Sequence, residues 1–237
     1  MAPAHRQPLF VDRGTIETMV RETLNRYLSA GSEDGTKATS AAVPRLVANI
    51  SARHVHLNPE ALENLFGPGA ELTIQKKLYQ QGAFAAKQTV TVFGPRQQMI
   101  AHVRILGPLR DYSQVELSFS DARFLGIEAP VRLSGDHTDT PGCYLVGPAG
   151  GLELKMGVIR AARHVHMSPA EADFYGVQPG ELMRLVVDSE QGGALNGLIC
   201  RVSDREKLEV HLDTDEGNAI DLVRARKVHL EKEAENR

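Results

Sequence analysis

A four-residue phrase that occurs twice, Arg53-His54-Val55-His56 and Arg163-His164-Val165-His166, constrains this chain more than any other feature of it. The 237 residues include only nine histidines, and four of them sit in these two copies. In an extended segment successive side chains point to opposite faces, so His54 and His56 share one face while Val55 turns inward, and His164 and His166 do the same around Val165. Two imidazoles on one face can chelate a divalent metal. A metal site needs further ligands from elsewhere in the fold, and a lone His-x-His is as readily a structural pair; the duplication is what points to chemistry.

The likeness runs past the tetrapeptide. Residues 51–60 (SARHVHLNPE) align without gaps with residues 161–170 (AARHVHMSPA), and Glu71-Leu72 then falls opposite Glu181-Leu182 at the same offset. Two copies of one small unit are expected. Further on, residues 114–122 (QVELSFSDA) resemble residues 209–216 (EVHLDTDE), which sets Glu116 opposite His211. Both are ligand types. Each half then offers two imidazoles and a third ligand from a later strand, which gives three protein ligands and an open position, as catalytic zinc sites have. Chance similarity between two strands is the other reading of that second alignment.

The surrounding sequence reads as mainly β. Gly-Pro pairs at Gly67-Pro68, Gly94-Pro95, Gly107-Pro108 and Gly147-Pro148 cut short runs rich in Val, Ile, Leu and Thr, a punctuation that predicts many short antiparallel strands. Strands are expected at 46–50, 88–93, 100–105, 114–119, 152–159, 181–187, 194–202 and 207–212. Asn58-Pro59 and Ser168-Pro169 each place a capping residue ahead of Pro, so a helix should begin just after each histidine pair. Upstream, Ile16, Met19, Val20, Leu24, Tyr27 and Leu28 fall at spacings of three and four between Thr15 and Leu28, the stripe of an amphipathic helix. Residues 31–42 (GSEDGTKATSAA) follow as a polar, aperiodic linker. Such a helix either docks on another protein or folds back on its own domain.

Composition narrows the function classes. Lys and Arg number 27 against 30 Asp and Glu, so no basic excess marks the chain for nucleic acid. No stretch has the length and apolarity of a membrane span, and the N-terminus lacks a secretory signal pattern, so a soluble, intracellular protein is expected. Cys143 and Cys200 are far apart and form neither a disulfide framework nor a Cys-rich zinc site, which leaves metal binding to histidine and carboxylate. No Gly-x-Ser-x-Gly, no cysteine with an adjacent histidine and no phosphate-binding Gly-rich loop occurs, so a covalent acyl-enzyme is not supported. Arg110 lies at the turn between the strand 103–106 and the strand that carries Glu116; its guanidinium can hold a phosphate or carboxylate bidentately, or it is a solvated turn residue. His5, His102, His137 and His229 lack a partner pattern and read as surface or structural histidines.

At these residues the sequence resembles the phosphate propanoyltransferases of bacterial microcompartments, the PduL-type phosphotransacylases. The resemblance covers Val47 to Ala219, through SARHVHL (51–57), VRILGPLRDYSQVE (103–116), LGIEAPVRLSG (125–135), the Thr140-Pro141-Gly142 turn, ARHVHM (162–167) and EVHLDTDEGNA (209–219). It implies transfer of an acyl group between coenzyme A and inorganic phosphate at a site with two divalent metal ions, usually zinc. It also implies two packed β-barrels with short helices: 43–156 as the first, with the strand 43–53 exchanged into the second, and 157–237 as the second, both preceded by residues 1–42. Carried over residue by residue, His54, His56 and Glu116 resemble the ligands of one metal and His164, His166 and His211 those of the other. Arg110 resembles the phosphate-binding catalytic residue. The implied partners are acyl-CoA, CoA and phosphate, a homo-oligomer being open. The N-terminal helix resembles the encapsulation peptides that direct such enzymes to the shell or cargo of a microcompartment. Rival readings are a dinuclear zinc hydrolase of thioesters or phosphoesters and a non-catalytic protein in which metal staples two barrels.

Overall fold

The computed structural model describes residues 43–233; the expected helix at 15–28 and linker at 31–42 lie outside the described residues. The described chain is mainly β, with a few short helices. It opens with β1 (Val47–Ile50), β2 (His54–His56) and helix α1 (Pro59–Phe66), then β3 (Ile74–Lys77), β4 (Phe84–Phe93), β5 (Met99–Gly107), β6 (Gln114–Glu116) and α2 (Phe119–Leu125). After β7 (Val131–Arg132), β8 (Cys143–Val146), β9 (Gly151–Leu154) and β10 (Val158–Ala161) come β11 (His164–Met167) and α3 (Pro169–Tyr175). Strands β12 (Leu182–Asp188), β13 (Gly193–Val202) and β14 (Glu209–Leu212), helix α4 (Thr214–Ala219), a 3-10 turn (Leu222–Arg224) and β15 (Lys227–Lys232) complete it.

These strands form two sheets. One has nine strands, in the order β7-β10-β6-β2-β5-β4-β8-β9 with β3 beside β4; the other has six, in the order β1-β14-β11-β13-β12-β15. Each has its own core. Val55, Leu62, Leu65, Val103, Ile105 and Val115 belong to the first, and Val165, Met167, Met183, Leu185, Leu198 and Val210 to the second. The chain passes between the sheets at two places. β1 pairs in parallel with β14 of the six-stranded sheet, while β2, only three residues later, pairs with β5 and β6 of the nine-stranded one. In the opposite sense β10 pairs in parallel with β6 and β7, and β11, two residues on, pairs with β13 and β14. A residue spans at most about 3.6 Å, so connections this short hold the edges of the two sheets against each other beside both histidine pairs.

The helices start where the capping chemistry says. The Asn58 side chain accepts from Ala61 N ahead of Pro59, and Ser168 forms a capping box with Glu171 ahead of Pro169. Two further caps, Ser118 with Asp121 N and the Asp213–Glu216 box, start α2 and α4 immediately after the strands that carry Glu116 and His211. Left-handed Gly126 and Gly176, at φ 77° and 63°, close α2 and α3.

Three expectations need correction. The strands are not uniformly antiparallel: five pairings are parallel, four of them because each three- or four-residue ligand strand is flanked by one parallel and one antiparallel neighbour, and the fifth between β10 and β7. The strand expected at 114–119 stops at Glu116, since the Ser118 cap turns the chain into α2. The run at 152–159 is two strands, β9 and β10, broken at Gly157, whose φ of 102° takes it out of the extended region.

Candidate metal-binding cleft

In the nine-stranded sheet the three-residue β2 lies between β5 and β6, with His54 opposite Glu116 in the antiparallel register. Val55 points into the core, which leaves both imidazoles on the other face, beside the Glu116 carboxylate. His54 Nε2 is 3.2 Å from His56 Nε2 and 3.3 Å from Glu116 Oε2, and His56 Nε2 is 3.6 Å from Glu116 Oε1. In the six-stranded sheet β11 lies between β13 and β14 with His164 opposite His211. His164 Nε2 and His166 Nε2 are 3.1 Å apart, and the His164 and His211 rings stack with centroids 4.9 Å apart. Within each group the candidate ligand atoms all lie within 4.8 Å of one another.

The outer nitrogens decide which lone pairs face inward. His54 Nδ1 lies 2.9 Å from Ala52 O, His56 Nδ1 3.3 Å from Leu106 O and His164 Nδ1 2.8 Å from Ala162 O. A carbonyl only accepts, so each Nδ1 carries a proton, and whenever the ring is neutral its bare Nε2 is the nitrogen turned into the triad. His166 Nδ1 contacts the Glu206 carboxylate and His211 Nδ1 lies 3.0 Å from Ser51 Oγ. His211 Nε2 is buried with no aligned hydrogen bond, although Glu209 Oε2 lies 3.0 Å away. Facing lone pairs with no proton between them suit a cation, and imidazole with carboxylate is a donor set that suits zinc. The residues present therefore fit the metal that this pattern calls for.

Electrostatics point the same way. Burial, with His54 beside it, pushes the His56 pKa down to about 4, and burial, with His211 beside it, pushes His164 to about 4, so both are neutral and ligand-ready at pH 7. Burial and the neighbouring imidazoles also lower His166. Burial opposes charge on Glu116, but His54 and His56 prevail and hold its pKa well below the usual carboxylate range. Burial likewise opposes protonation of His54, and there the Glu116 charge wins and raises it.

Both triads line one cavity of about 690 Å³, together with Arg53, Lys76, Gln80, Arg104, Arg110, Ser134, Arg201, Arg205, Glu206 and Glu209. Arg110 is half-buried at this cleft rather than solvated on a turn. Its Nη1 donates to Tyr112 Oη at 2.8 Å and to Ser134 Oγ at 2.9 Å, and among the described residues no carboxylate lies within ion-pair distance of it. The cysteines take no part: both are buried, which raises Cys143 to about 12 and Cys200 to about 11.

Several residues of the site escaped the sequence reading. Gln114 and Glu209 stand two positions before Glu116 and His211 and so share their faces, a signal that strand alternation could have supplied. Ser134 and Glu206 come from loops with no local pattern, and tertiary structure alone brings them in. Of the four histidines read as surface or structural, His137 holds the Gln114 side chain at 3.0 Å, His102 and His229 lie away from the cleft, and His5 is outside the described residues.

The class that fold and site define is thus a two-sheet β protein with two compact groups of three candidate ligands on one cleft. Comparison with known proteins gives the particular family: the chain belongs to the phosphate propanoyltransferase family, whose description matches residues 47–223. It is 55% identical over 228 residues to the phosphate propanoyltransferase of Planctopirus limnophila, covering 94% of this chain and 92% of that one. It is 47% identical to that of Thermotoga maritima (76% and 85% covered) and 48% identical to that of Salmonella typhimurium (72% and 80%). The chain is therefore an enzyme, a phosphate acyltransferase.

Proposed function

We propose that the chain interconverts acyl-CoA, propanoyl-CoA or acetyl-CoA, plus phosphate with acyl phosphate plus CoA, by direct attack of phosphate on the thioester in the cleft. One observation carries this reading: both candidate triads face the same cavity as Arg110, which among the described residues has no carboxylate partner. His54, His56 and Glu116 would hold one divalent ion, and His164, His166 and His211 a second, zinc being suited to both. Bound there, the ions would supply Lewis acidity to a carbonyl or phosphoryl oxygen and to the departing sulfur.

Arg110 orients phosphate through its planar donor fork, with Tyr112 and Ser134 fixing the guanidinium. A phosphate oxygen forms a bond to the thioester carbon, the carbon–sulfur bond breaks, and CoA leaves as thiolate to take a proton from water. Exposed Lys76 and Arg205 line the cleft and complement the phosphates of CoA. The buried, unreactive cysteines support direct attack over an acyl-enzyme.

Residues 43–156 and 157–237 are read as two packed β-barrels related by internal duplication, with the strand within 43–53 exchanged into the second; the pairing of β1 with β14 and the like connectivity around β2 and β11 support this, and β10, just after the boundary, pairs in turn in the nine-stranded sheet. Residues 1–42 are read as a peptide that directs the enzyme to a bacterial microcompartment, its apolar stripe binding a shell or cargo protein. Diffuse fluorescence of a 1–42 fusion in shell-making cells would sink that last idea.

The main test is thiol release from propanoyl-CoA and acetyl-CoA with and without phosphate. Release should require phosphate, and Arg110→Lys should raise the KM for phosphate at least tenfold more than that for acyl-CoA. Thiol release independent of phosphate would instead make the protein a thioester hydrolase.

A further inference from the structure

Behind the first triad a single hydroxyl touches both the carboxylate ligand and the arginine. Ser134 Oγ donates to Glu116 Oε1 at 2.9 Å, and it accepts from Arg110 Nη1 at 2.9 Å and from Gln114 Nε2 at 2.8 Å. A serine hydroxyl has one proton and two lone pairs, so this one is saturated and its direction is fixed. Gln114 Nε2 also donates to Glu116 Oε1 at 2.6 Å. The amide cannot turn over, because its Oε1 accepts from Gly135 N at 2.9 Å and lies 3.0 Å from His137 Nε2. Gln114 is fully buried in β6, and Ser134, Gly135 and His137 belong to one loop that follows β7.

The consequence lies at the carboxylate. Oε1, which lies 3.6 Å from His56 Nε2, already accepts from two donors, whereas Oε2 accepts from neither and faces His54 Nε2, 3.3 Å away. We infer that Ser134 and Gln114 are positioning residues that hold Glu116 as a one-oxygen ligand, and that the Ser134 hydroxyl couples this ligand to the phosphate-orienting Arg110. The inference rests on the proposed roles of Glu116 and Arg110. Through the shared hydroxyl the guanidinium and the ligand carboxylate keep one fixed separation, so a phosphate on Arg110 meets the first triad at a set distance. Among the described residues the second triad has no equivalent, since none of their arginines hydrogen-bonds to Ser51, Glu206 or Glu209, the residues behind its imidazoles.

The experiment compares Ser134→Ala and Ser134→Thr with wild type in two measurements: zinc affinity by competition with a chromophoric chelator, and KM for phosphate and for propanoyl-CoA. Outer partners of metal ligands typically contribute tenfold to a hundredfold in affinity. In Ser134→Ala one of the two zinc ions should bind at least about tenfold more weakly while the other is unchanged. The KM for phosphate should rise about tenfold, with that for propanoyl-CoA within about twofold of wild type. Ser134→Thr keeps the hydroxyl and should restore both. Unchanged zinc affinity and phosphate KM in the alanine variant, or a threonine variant as impaired as the alanine one, overturns the coupling. Gln114→Met, which fills a similar volume without the polar contacts, gives the same two readouts if Ser134→Ala is insoluble. A wild-type protein that binds no zinc would defeat the two-metal reading alone, because the phosphate KM still decides whether Ser134 serves Arg110.

Discussion

The two triads occupy the same place in the same strand arrangement yet distribute charge differently. Around β2 the third member is a carboxylate, Glu116, and an amide, Gln114, stands behind it. Around β11 the third member is an imidazole, His211, and the carboxylate has moved two residues back to Glu209. Glu209 is only 2% exposed and is held by Asn49 and by Gln80 Nε2 at 2.7 Å. Each sheet therefore keeps one buried carboxylate beside its imidazoles, inside the triad in one case and behind it in the other. The first triad contains a carboxylate and is buried; the second is built of imidazoles alone and is half-exposed to the cleft. An ion held by neutral ligands keeps more of its charge for a substrate, so the difference suits two ions that share one reaction in unequal roles.

Removing the third ligand is the harshest test of that comparison. Glu116→Gln and His211→Gln should each lower the metal content from two ions per chain to about one, by elemental analysis, and reduce kcat/KM on the order of 10³-fold. Glu116→His, which makes the triads alike, should keep two ions and yet recover little activity, because the first site loses its negative charge. Full activity in that variant would show that the difference between the triads carries no functional weight.

A smaller effect is expected where the halves are most alike. Arg53, just before His54, contacts Asp121 at 2.9 Å, and Arg163, just before His164, contacts Glu216 at 2.8 Å. Both acids sit in the first turn of the helix that follows the third-ligand strand, so each pair ties one end of a triad to the other. The surroundings differ: Glu216 also accepts from Asp213 N at 3.0 Å, whereas Asp121 Oδ2 is buried without an aligned hydrogen bond. Arg53→Ala leaves a barer carboxylate and should cost about 1–2 kcal/mol of stability, with Arg163→Ala below about 1 kcal/mol. Equal losses in urea unfolding would mean that the two pairs are interchangeable.

The site was more legible in the sequence than the fold around it. Strand alternation and the repeated Arg-His-Val-His placed the imidazoles, and the alignment of residues 114–122 with 209–216 put Glu116 and His211 where the strand registers bring them, opposite His54 and His164. Capping residues ahead of Pro59 and Pro169 marked two helices. What the sequence hid was everything set by distance along the chain. Parallel pairing of β1 with β14 and of β10 with β6 joins segments with no local signature in common. Helices α2 and α4, of seven and six residues, are too short for a periodic stripe; the cap Ser118 lies inside a run that reads as strand, and the cap Asp213 directly follows one. Ser134 and Glu206 reach the triads from loops, where nothing but the folded chain gives them neighbours.

The mildest difference between the halves should appear on acidifying the metal-free protein. An imidazole in an unfolded chain titrates near pH 6.5, and burial takes His164 down to about 4 and lowers His166 as well. Between those values the unfolded state binds protons that the folded state refuses, so this half loses stability as pH falls from about 6.5 toward 4. The first half is buffered. His56 is also lowered to about 4, but His54 is raised by Glu116 against the effect of burial, so it takes up its proton in the folded state and offsets part of the loss. Glu116 is depressed, and its contribution holds above the ordinary carboxylate range and fades only below it. At pH 5 the β11–β14 region should therefore have lost about 1–2 kcal/mol more than the β2–β6 region relative to pH 7. Amide hydrogen exchange on chelator-treated protein measures this directly, strand by strand. Equal loss of protection in the two sheets would show that the Glu116–His54 pair does not offset the acid sensitivity of its half.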